Sequence, residues 1–541
     1  MVVPELRAWR AARPRLARLA RTARPRLQRA VGAVKEQVRQ VAQAAAGRVP
    51  RSARSRNAQF TAVAATTGLA LAAAVVTAAG PWDSSGQRTA ERDRAVALEH
   101  AGGTDHGRRS GTSRTSRTSG TSDTSAGGPR PAPSAVPVLV GLGEGGNQVK
   151  SASDGRALAG LLDPLLADPA LGTRHSAAVV DVATGERLYG RGADDALTPA
   201  STTKIATAVA ALSALGADHR LTTRAALEPD TGEVILVGGG DPTLTARKDA
   251  HGWASLRTLA DATAAALTRR GLHEVTLSYD TTLFAGPELH PIGVNENLAP
   301  VSALMADEAR TDGSTSGPAP RAGEPAADAA RAFGRLLSAH GIRVSAPGPS
   351  KATGRAETLA TVSSPPLSDL VERMLTNSDN DIAEALARQT AAATGGRADF
   401  AGGADAIAAQ LGKLGLPITG ASFHDGSGLN RADRLTAGLL TALLLKAADP
   451  AHPELRPVLT GLPVAGFTGT LAGRYTSDGA AGVVRAKTGT LTGVNALAGT
   501  AVDQDGHLLA FAFLAEGTTS PDTAQSALDR TATALASCGC G

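Results

Sequence analysis

The stretch STTKIATAVAALSALG, residues 201–216, predicts both a central helix of the fold and a candidate pair of reactive side chains. A Pro-Ala turn precedes it, and an Ala-rich helical pattern runs from there to Gly216. Ser201 and Lys204 are three positions apart, so a helix places them on the same face. The side chains that follow Lys204 are mostly apolar, and we therefore expect this helix to be a core element.

Ser201 and Lys204 are candidates for a nucleophile and its base. A hydroxyl group beside an amine can serve in these roles if the amine is neutral. Neutrality requires the lysine pKa to be lowered by burial or by a second cation. The start of a helix also favours a developing anion on Ser201 through the N-terminal dipole. The pattern S-x-x-K alone also fits a solvated helix, so the interpretation depends on further motifs.

A second cation is available in Lys487-Thr488-Gly489-Thr490, which lies inside a strand pattern. Alternation along a strand places Thr488 and Thr490 on one face and Lys487 on the other. A twist or a bulge would therefore be needed for all three to reach one cleft. Gly489 would admit the close approach of a substrate backbone.

The third element is Ser378-Asp379-Asn380, which stands between two helical patterns, LSDLVERMLTNSDN and DIAEALARQ. A helix N-cap is the alternative interpretation, because Ser, Asp and Asn all suit that position. The pattern S-x-N is common, and a second copy, Ser55-Arg56-Asn57, occurs in the basic N-terminal tail. The order of the three motifs is therefore more informative than any one of them.

In that order, S-x-x-K, S-D-N and K-T-G form a signature of penicillin-binding proteins and class A β-lactamases. With these motifs, residues 151–537 resemble the class C low-molecular-mass penicillin-binding proteins, the D-alanyl-D-alanine carboxypeptidase/endopeptidases. The other stretches that are similar to this family are LTPASTTKIATAVAAL (197–212), VGGGDPTL (237–244), HDGSGLNR (424–431), PVAGFTGTL (463–471) and VRAKTGTLTGVNALAG (484–499).

Helical patterns at 325–339, 367–394 and 521–536 mix with strand patterns without regular βαβ order, which indicates an α+β fold. The resemblance implies a β-lactamase/transpeptidase-like domain, an antiparallel sheet with flanking helices, interrupted by a β-rich inserted domain. The separation of Ser201 and Ser378 is longer than a compact β-lactamase needs, which fits an insertion. We therefore expect the catalytic domain at 151–221 and 351–541, and the inserted domain at 222–350.

The resemblance further implies acyl transfer on peptidoglycan stem peptides that end in D-Ala-D-Ala, with β-lactams as covalent inhibitors. Ser201 would attack the penultimate carbonyl while Lys204 takes its proton. Ser378 would relay a proton to the leaving amine, and Asn380 would orient Lys204 and the substrate amide. No cofactor is implied.

The K-T-G strand completes the implied site. Lys487 would supply positive potential, and Thr488 and Thr490, on either side of Gly489, would bind the terminal carboxylate of the substrate. Backbone N–H groups of Ser201 and Thr490 would form the oxyanion hole, whose individual donors contribute about 3–4 kcal/mol in other hydrolases.

The N-terminal part of the sequence indicates delivery to a membrane. Residues 1–57 hold 15 basic and two acidic residues, a net charge of +13, so the remaining chain carries −8 of the total +5. Residues 58–80 form an uncharged stretch of 23 residues, long enough for a transmembrane signal-anchor. The basic flank predicts a cytoplasmic N-terminus and an extracytoplasmic enzyme joined by a flexible linker, residues 81–150. A cleaved secretory signal is the alternative, with small residues at 77–80.

Composition excludes several other classes of protein. The acidic body of the chain and its 3% aromatic content argue against a nucleic-acid partner. The 11 histidines show no H-E-x-x-H pattern, so no metal is expected, and His424 beside Asp425 is predicted to be part of a structural turn. Two functional alternatives stay open: a serine β-lactamase, for which the sequence identifies no dedicated deacylation base, and a catalytically silent wall-binding scaffold on the same fold.

Overall fold

Alternating side chains at the C-terminal end of the chain build the larger of two five-stranded sheets. A computed structural model describes residues 155–476 and 479–539. In the first sheet the strand order is β12-β13-β14-β1-β2, and every neighbouring pair is antiparallel. Its strands are β1 (Arg174–Asp181), β2 (Arg187–Arg191), β12 (Val484–Leu491), β13 (Val494–Val502) and β14 (Leu508–Glu516).

Both faces of this sheet are buried, because alternate residues of its central strands join different cores. Phe511 and Phe513 of β14 pack in one core with the C-terminal helix, Pro521–Ala536. Ala510 and Ala512 of the same strand pack in the other core, with helix Ala437–Ala448. The period of two along a strand thus produces the helix–sheet–helix layering.

The second sheet lies within the segment between the first and second motifs. Its strand order is β10-β4-β5-β7-β9, with antiparallel pairs at β10–β4–β5 and parallel pairs at β5–β7–β9. Its strands are β4 (Thr222–Leu227), β5 (Val234–Val237), β7 (Leu277–Asp280), β9 (Gly348–Pro349) and β10 (Glu357–Ser363). Helices Leu256–Arg269 and Pro325–Ala339 share its apolar core.

Strand β10 lies beyond residue 350, where the sequence predicts that the inserted domain ends. It pairs with β4 from Ser363↔Thr222 to Glu357↔Leu227, so the second sheet draws on both sides of that boundary. The short strands β3 (Ala196–Leu197) and β11 (Leu435–Thr436) pair with each other, as do β6 (Glu274–Val275) and β8 (Arg343–Val344).

The helix that carries Lys204 lies at the centre of the helical layer. It spans Thr203–Leu215, and every side chain from 203 to 212 is buried. Small alanine side chains let the neighbouring helices approach closely, and Gly216, with φ of +86°, ends the helix. In chain order the helices are α1 (Gly155–Leu166), α2 (Thr203–Leu215), α3 (Leu256–Arg269), α4 (Pro325–Ala339), α5 (Leu367–Asn377), α6 (Asn380–Ala393), α7 (Phe400–Lys413), α8 (Ala437–Ala448), α9 (Pro457–Thr460) and α10 (Pro521–Ala536).

The described residues fall within one compact unit. The predicted cytoplasmic tail 1–57, signal-anchor 58–80 and linker 81–150 lie outside the described residues. Among the helices that are described, none has the length and apolar character needed to cross a bilayer.

Candidate active site

Hydrogen bonds join the three sequence motifs into one constellation. The Nζ atom of Lys204 lies 3.1 Å from Ser201 Oγ and 2.6 Å from Asn380 Oδ1. The Nζ atom of Lys487 lies 2.8 Å from Ser378 Oγ. The first motif is therefore hydrogen-bonded to the second, and the second to the third.

Ser201 lies in a 3-10 turn, Ala200–Thr202, that leads directly into α2. Ala200 has φ of +47°, a left-handed conformation that L-residues other than Gly, Asn and Asp seldom adopt. Thr202 Oγ1 donates to the carbonyl of Pro199 at 2.7 Å and ties the turn together. Such local strain persists only where the surrounding structure holds it, and here it presents Ser201 to the cleft.

Gly489 is needed for the contact between β12 and the Ser201 turn. A Cβ atom at this position would lie 2.7 Å from the carbonyl oxygen of Pro199 and 3.2 Å from the Cβ of Ala200. The sequence predicts that Gly489 admits a substrate backbone, and the structure gives it a different neighbour, the turn that carries Ser201. That contact brings Thr490 beside Ser201 in the cleft.

Lys204 is fully buried and has three hydrogen-bond partners, of which the third is the carbonyl oxygen of Ser427 at 2.7 Å. Burial lowers the pKa of Lys204 to about 8, although the negative charge of Asp425 opposes that shift. A neutral amine has two N–H groups and one lone pair. If Asn380 Oδ1 and Ser427 O accept the two N–H groups, the lone pair faces the hydroxyl of Ser201.

Lys487 is equally buried, and it donates to Ser378 Oγ and to the carbonyl of Thr488, both at 2.8 Å. Burial, together with the charge of Lys204, holds the pKa of Lys487 well below its ordinary range. The pairing of β12 with β13 runs without a register shift through this residue, so no bulge is present there. Because β12 is the edge strand, the long side chain reaches Ser378 without one.

The S-D-N motif both supplies side chains to the site and caps a helix. Ser378 ends α5 in a left-handed conformation with φ of +58°, and this turns its hydroxyl toward Lys487. Asp379 is the N-cap of α6 and accepts from the backbone N–H of Ile382 at 3.0 Å. Asn380 donates from Nδ2 to the carbonyl of Asn297 at 2.9 Å, which leaves its Oδ1 directed at Lys204.

The motifs line a cleft of about 300 Å³. Thr488 and Thr490 are on its wall, and Thr488 Oγ1 lies 3.0 Å from Thr470 Oγ1. Sequence reasoning did not identify Thr470, Asn297 or the Ser427 carbonyl as parts of the site. The stretches HDGSGLNR and PVAGFTGTL, noted for their resemblance alone, contain Ser427 and Thr470, whereas Asn297 has no recognisable signal.

A cluster of buried acidic and basic side chains lies beside the cleft, and Arg310, Arg321 and Asp381 of this cluster line it. Glu308 accepts from Arg310 Nε at 2.6 Å and from Arg373 Nη2 at 3.0 Å, and Arg321 lies 2.9 Å from Asp381. Burial raises the pKa of Glu308 to about 8, and neighbouring carboxylates add to the shift. Residues 307–309 are all left-handed, with φ of +53° to +54°. This left-handed segment places the Glu308 side chain at hydrogen-bond distance from Asp379 of the S-D-N turn.

Three groups of acidic and histidine side chains in the described ranges have the spacing of metal ligands. They are His290–Glu384–Asp425, Glu308–Asp379–Asp381 and Asp503–Asp505–His507. In the first group backbone N–H donors already occupy both carboxylates. In the second, arginines pair with the acids. The expectation that the enzyme needs no metal stays a prediction.

A serine hydroxyl beside a buried lysine amine, with a second buried lysine at the same cleft, is the arrangement expected of an acyl-transfer enzyme of the penicillin-binding class. The profile of the D-Ala-D-Ala carboxypeptidase 3 (S13) family matches residues 158–324 and 309–535. The chain therefore belongs to the S13 family, and this confirms the predicted class, a serine D-Ala-D-Ala carboxypeptidase of the penicillin-binding type.

Known relatives agree with this assignment. The chain is 37% identical over 390 residues to carboxypeptidase Rv3627c of Mycobacterium tuberculosis, covering 69% of this chain and 82% of that protein. It is 38% identical over 401 residues to carboxypeptidase DacB of Mycolicibacterium smegmatis, covering 71% and 85%.

A solved structure shares the fold. Penicillin binding protein 4 from Haemophilus influenzae aligns with a TM-score of 0.57 at 22% identity, covering 71% of this chain and 98% of that chain. This similarity confirms the β-lactamase/transpeptidase-like fold predicted from the sequence. A second structure of the same Haemophilus protein contains a β-lactam.

Proposed function

We propose that this enzyme hydrolyses the terminal peptide bond of peptidoglycan stem peptides that end in D-Ala-D-Ala, through an acyl-enzyme on Ser201. The observation that carries the proposal is the environment of Lys204. Its Nζ lies 3.1 Å from Ser201 Oγ, while Asn380 Oδ1 and Ser427 O can accept both N–H groups of the neutral amine. Burial favours the neutral amine that a base must be.

The proposed acylation step begins when Ser201 attacks the carbonyl of the penultimate D-Ala and its proton passes to Lys204. Backbone N–H groups of Ser201 and Thr490 would stabilise the tetrahedral oxyanion. The proton would then reach the leaving D-Ala amine through Ser378, whose Oγ already contacts Lys487. The C–N bond breaks, D-Ala leaves, and the shortened peptide remains as an ester of Ser201.

Substrate binding would use the terminal carboxylate of the peptide. The hydroxyl groups of Thr488 and Thr490 face the cleft beside Ser201, where they can donate to that carboxylate. Buried Lys487 lies next to Thr488 and supplies positive potential. Water would complete the cycle by hydrolysing the ester. The same geometry supports acylation of Ser201 by a β-lactam, whose leaving nitrogen stays tethered.

The test is release of free D-alanine from a purified muropeptide that ends in D-Ala-D-Ala by the full-length protein. Ser201→Ala should abolish release, whereas Ser213→Ala, at the far end of the same helix, should retain it. Equal release by wild type and Ser201→Ala would contradict the proposal. Absence of release, together with no labelling of wild type by a fluorescent penicillin, would instead support the silent scaffold.

We also propose that residues 222–363 act as a domain inserted into the catalytic fold. The support is the pairing of β4 with β10, the first and last strands of this segment in the chain. The chain therefore enters and leaves the segment at adjacent positions, immediately before α5. Deletion of 222–363 with a short glycine bridge should leave the antiparallel first sheet able to form. Loss of all folded protein in that deletion would contradict this independence.

We propose, finally, a cell-membrane location, with residues 58–80 as anchor and the enzyme outside the cytoplasm. The support is the sequence pattern of a basic flank followed by an uncharged stretch of spanning length. Protease treatment of intact cells should digest the catalytic part if the protein is anchored as proposed. Recovery of the mature enzyme in the medium would favour the cleaved signal.

A further inference from the structure

The turn formed by residues 425–430 supplies the deepest partner of Lys204, the carbonyl of Ser427. Two buried carboxylates, of Asp425 and Glu384, hold this turn. They accept from the backbone N–H groups of Gly426, Ser427, Gly428 and Asn430. The two shortest of these bonds, 2.6 and 2.7 Å, end on Asp425. The direction of the Ser427 carbonyl therefore depends on where the Asp425 carboxylate lies.

His290 contributes a further contact to that carboxylate, which also accepts from the Ser427 hydroxyl at 3.3 Å. This histidine comes from the segment between β7 and α4, far away in sequence, and it is only 2% exposed. Its Nε2 lies 3.0 Å from Asp425 Oδ2. The backbone N–H of Ile292 donates to Nδ1 at 3.2 Å. Because Nδ1 accepts that N–H, the ring carries a proton on Nε2 and donates it to Asp425.

We propose that His290 is a positioning residue for the catalytic base: by donating to Asp425 it fixes the 425–430 turn, and with it the Ser427 carbonyl that orients Lys204 toward Ser201. This inference rests on the proposed function of Ser201 and Lys204. His290 touches no reacting atom, so it acts only through Asp425 and Ser427.

The arrangement resembles a metal site in composition but not in bonding. His290, Glu384 and Asp425 have the spacing of metal ligands. However, Nε2 of His290 points its proton at Asp425, and the N–H groups of the turn occupy both carboxylates. A cation there would have to displace these donors. A hydrogen-bonded support is the interpretation that leaves every one of these groups satisfied.

His290 also affects Lys204 electrostatically, through the charge of Asp425. Although burial opposes it, hydrogen bonds from His290 and from the turn hold the pKa of Asp425 below its ordinary value. The resulting negative charge is the largest influence that raises the pKa of Lys204. Loss of the His290 donor makes Asp425 easier to protonate. The pKa of Lys204 then falls, and the base becomes neutral at lower pH.

Other ionisable groups also face this pair. Those that act on Lys204 besides Asp425 are Glu384, Asp379, Asp381 and Lys487. Those that face Asp425 are His290, Glu384 and Asp433. Burial raises the pKa of Glu384 to about 7 and that of Asp433 to about 10, with further contributions from Asp425. Asp425 is thus the member of the cluster that favours its charged form.

Two amide substitutions of His290 distinguish the effect of its hydrogen bond to Asp425 from the effect of its packing. Glutamine at position 290 can place its Nε2 near the position of the imidazole Nε2 and donate to Asp425. Asparagine places its amide near Nδ1 and falls short of Asp425. Both remove the ring that stands perpendicular to Phe400 at 5.0 Å. His424→Asn is the matched control, because His424 is next to Asp425 in sequence but its side chain is exposed.

The experiment measures acylation of the full-length protein by benzylpenicillin as a function of pH and of drug concentration. These data separate the maximal acylation rate from the affinity of the non-covalent complex. We expect H290N to lower the maximal rate by about tenfold to a hundredfold, which is the effect of losing one hydrogen bond to a charged group. Affinity should change by less than about twofold, and the acidic limb of the profile should move to lower pH.

H290Q should recover the rate to within about threefold of wild type, and H424N should match wild type. A wild-type rate and pH profile in H290N would overturn the proposal. Equal impairment of H290N and H290Q would also overturn it, since it would assign the effect to packing. Active-site titration corrects each rate for misfolded protein. If wild type forms no adduct on Ser201, the proposed function fails, and that result is distinct from any difference among the variants.

Discussion

Lys204 of the first motif lies 2.6 Å from the side-chain oxygen of Asn380 in the second, although 176 positions separate them in the chain. The same lysine is completely buried, with a pKa lowered to about 8. The amide oxygen of Asn380 accepts a hydrogen bond without adding charge. It therefore orients the amine and leaves it free to be neutral, which is what a general base requires.

Replacement of that amide by a carboxylate tests whether Lys204 needs an uncharged partner. Asn380→Asp places a negative charge at hydrogen-bond distance from Lys204 and raises its pKa, since an opposite charge favours the ammonium form. The acidic limb of the penicillin acylation profile should move by about one to three pH units toward higher pH. An unchanged limb in Asn380→Asp would mean that Lys204 is not the base. Asn377→Asp, whose amide bonds the backbone of Arg373 rather than Lys204, is the control.

Gly489→Ala tests the contact between β12 and the nucleophile's turn. The added Cβ would meet the carbonyl of Pro199 at 2.7 Å, so either the strand or the turn must shift. We expect a loss of about 1–3 kcal/mol in the free energy of unfolding and a reduction of about a hundredfold in acylation rate. Gly473→Ala is the matched control, because nothing lies within 4 Å of its added Cβ. Full activity in Gly489→Ala would show that the close approach is dispensable.

The threonines of the K-T-G strand should distinguish substrates by their terminal charge. Thr490→Val keeps the shape of the side chain but removes the donor that faces the cleft. A hydrogen bond to a charged group contributes about 1.5–3 kcal/mol. We therefore expect kcat/KM for a D-Ala-D-Ala peptide to fall by about ten- to a hundredfold. For the same peptide with an amidated C-terminus the two enzymes should differ little. Equal losses on both peptides would contradict carboxylate binding by Thr490.

Glu308 should make folding stability depend on pH. Its pKa is raised from 4.5 to about 8, so the folded protein keeps this proton where the unfolded chain has lost it. Stability is then lost as pH rises through that window, by at most about 1.4 kcal/mol for each pH unit. Glu308→Gln should flatten the change in urea unfolding free energy between about pH 5 and about pH 8. Glu274→Gln, with a side chain 71% exposed, should not.

The helices were the part of the fold that the sequence predicted most closely. The patterns at 325–339 and 521–536 match α4 and α10 residue for residue. Both begin at a proline, and apolar side chains recur at helical spacing, so local chemistry determines their limits. The pattern at 367–394 divides into α5 and α6 instead, because Ser378 turns left-handed to reach Lys487.

The sequence predicts the reactive side chains of the site because they lie in recognisable motifs. It does not predict the groups that position them. Ser427 contributes a backbone carbonyl, and a carbonyl leaves no trace in residue type. Asn297 and Glu308 reach the site from loops whose path depends on left-handed backbone at 307–309 and on pairing of distant strands. Long-range packing sets such positions, and local sequence patterns do not encode it.

Formation of the acyl-enzyme on Ser201 with Lys204 as base can be measured from the mass of the intact protein after brief exposure to benzylpenicillin, followed by peptide mapping. We expect one penicilloyl group, on the peptide that contains Ser201, that forms more slowly as pH falls below about 8 and is released much more slowly than it forms. A modification on another residue, an adduct of equal yield in Ser201→Ala, or release of the adduct as fast as it forms would contradict this mechanism.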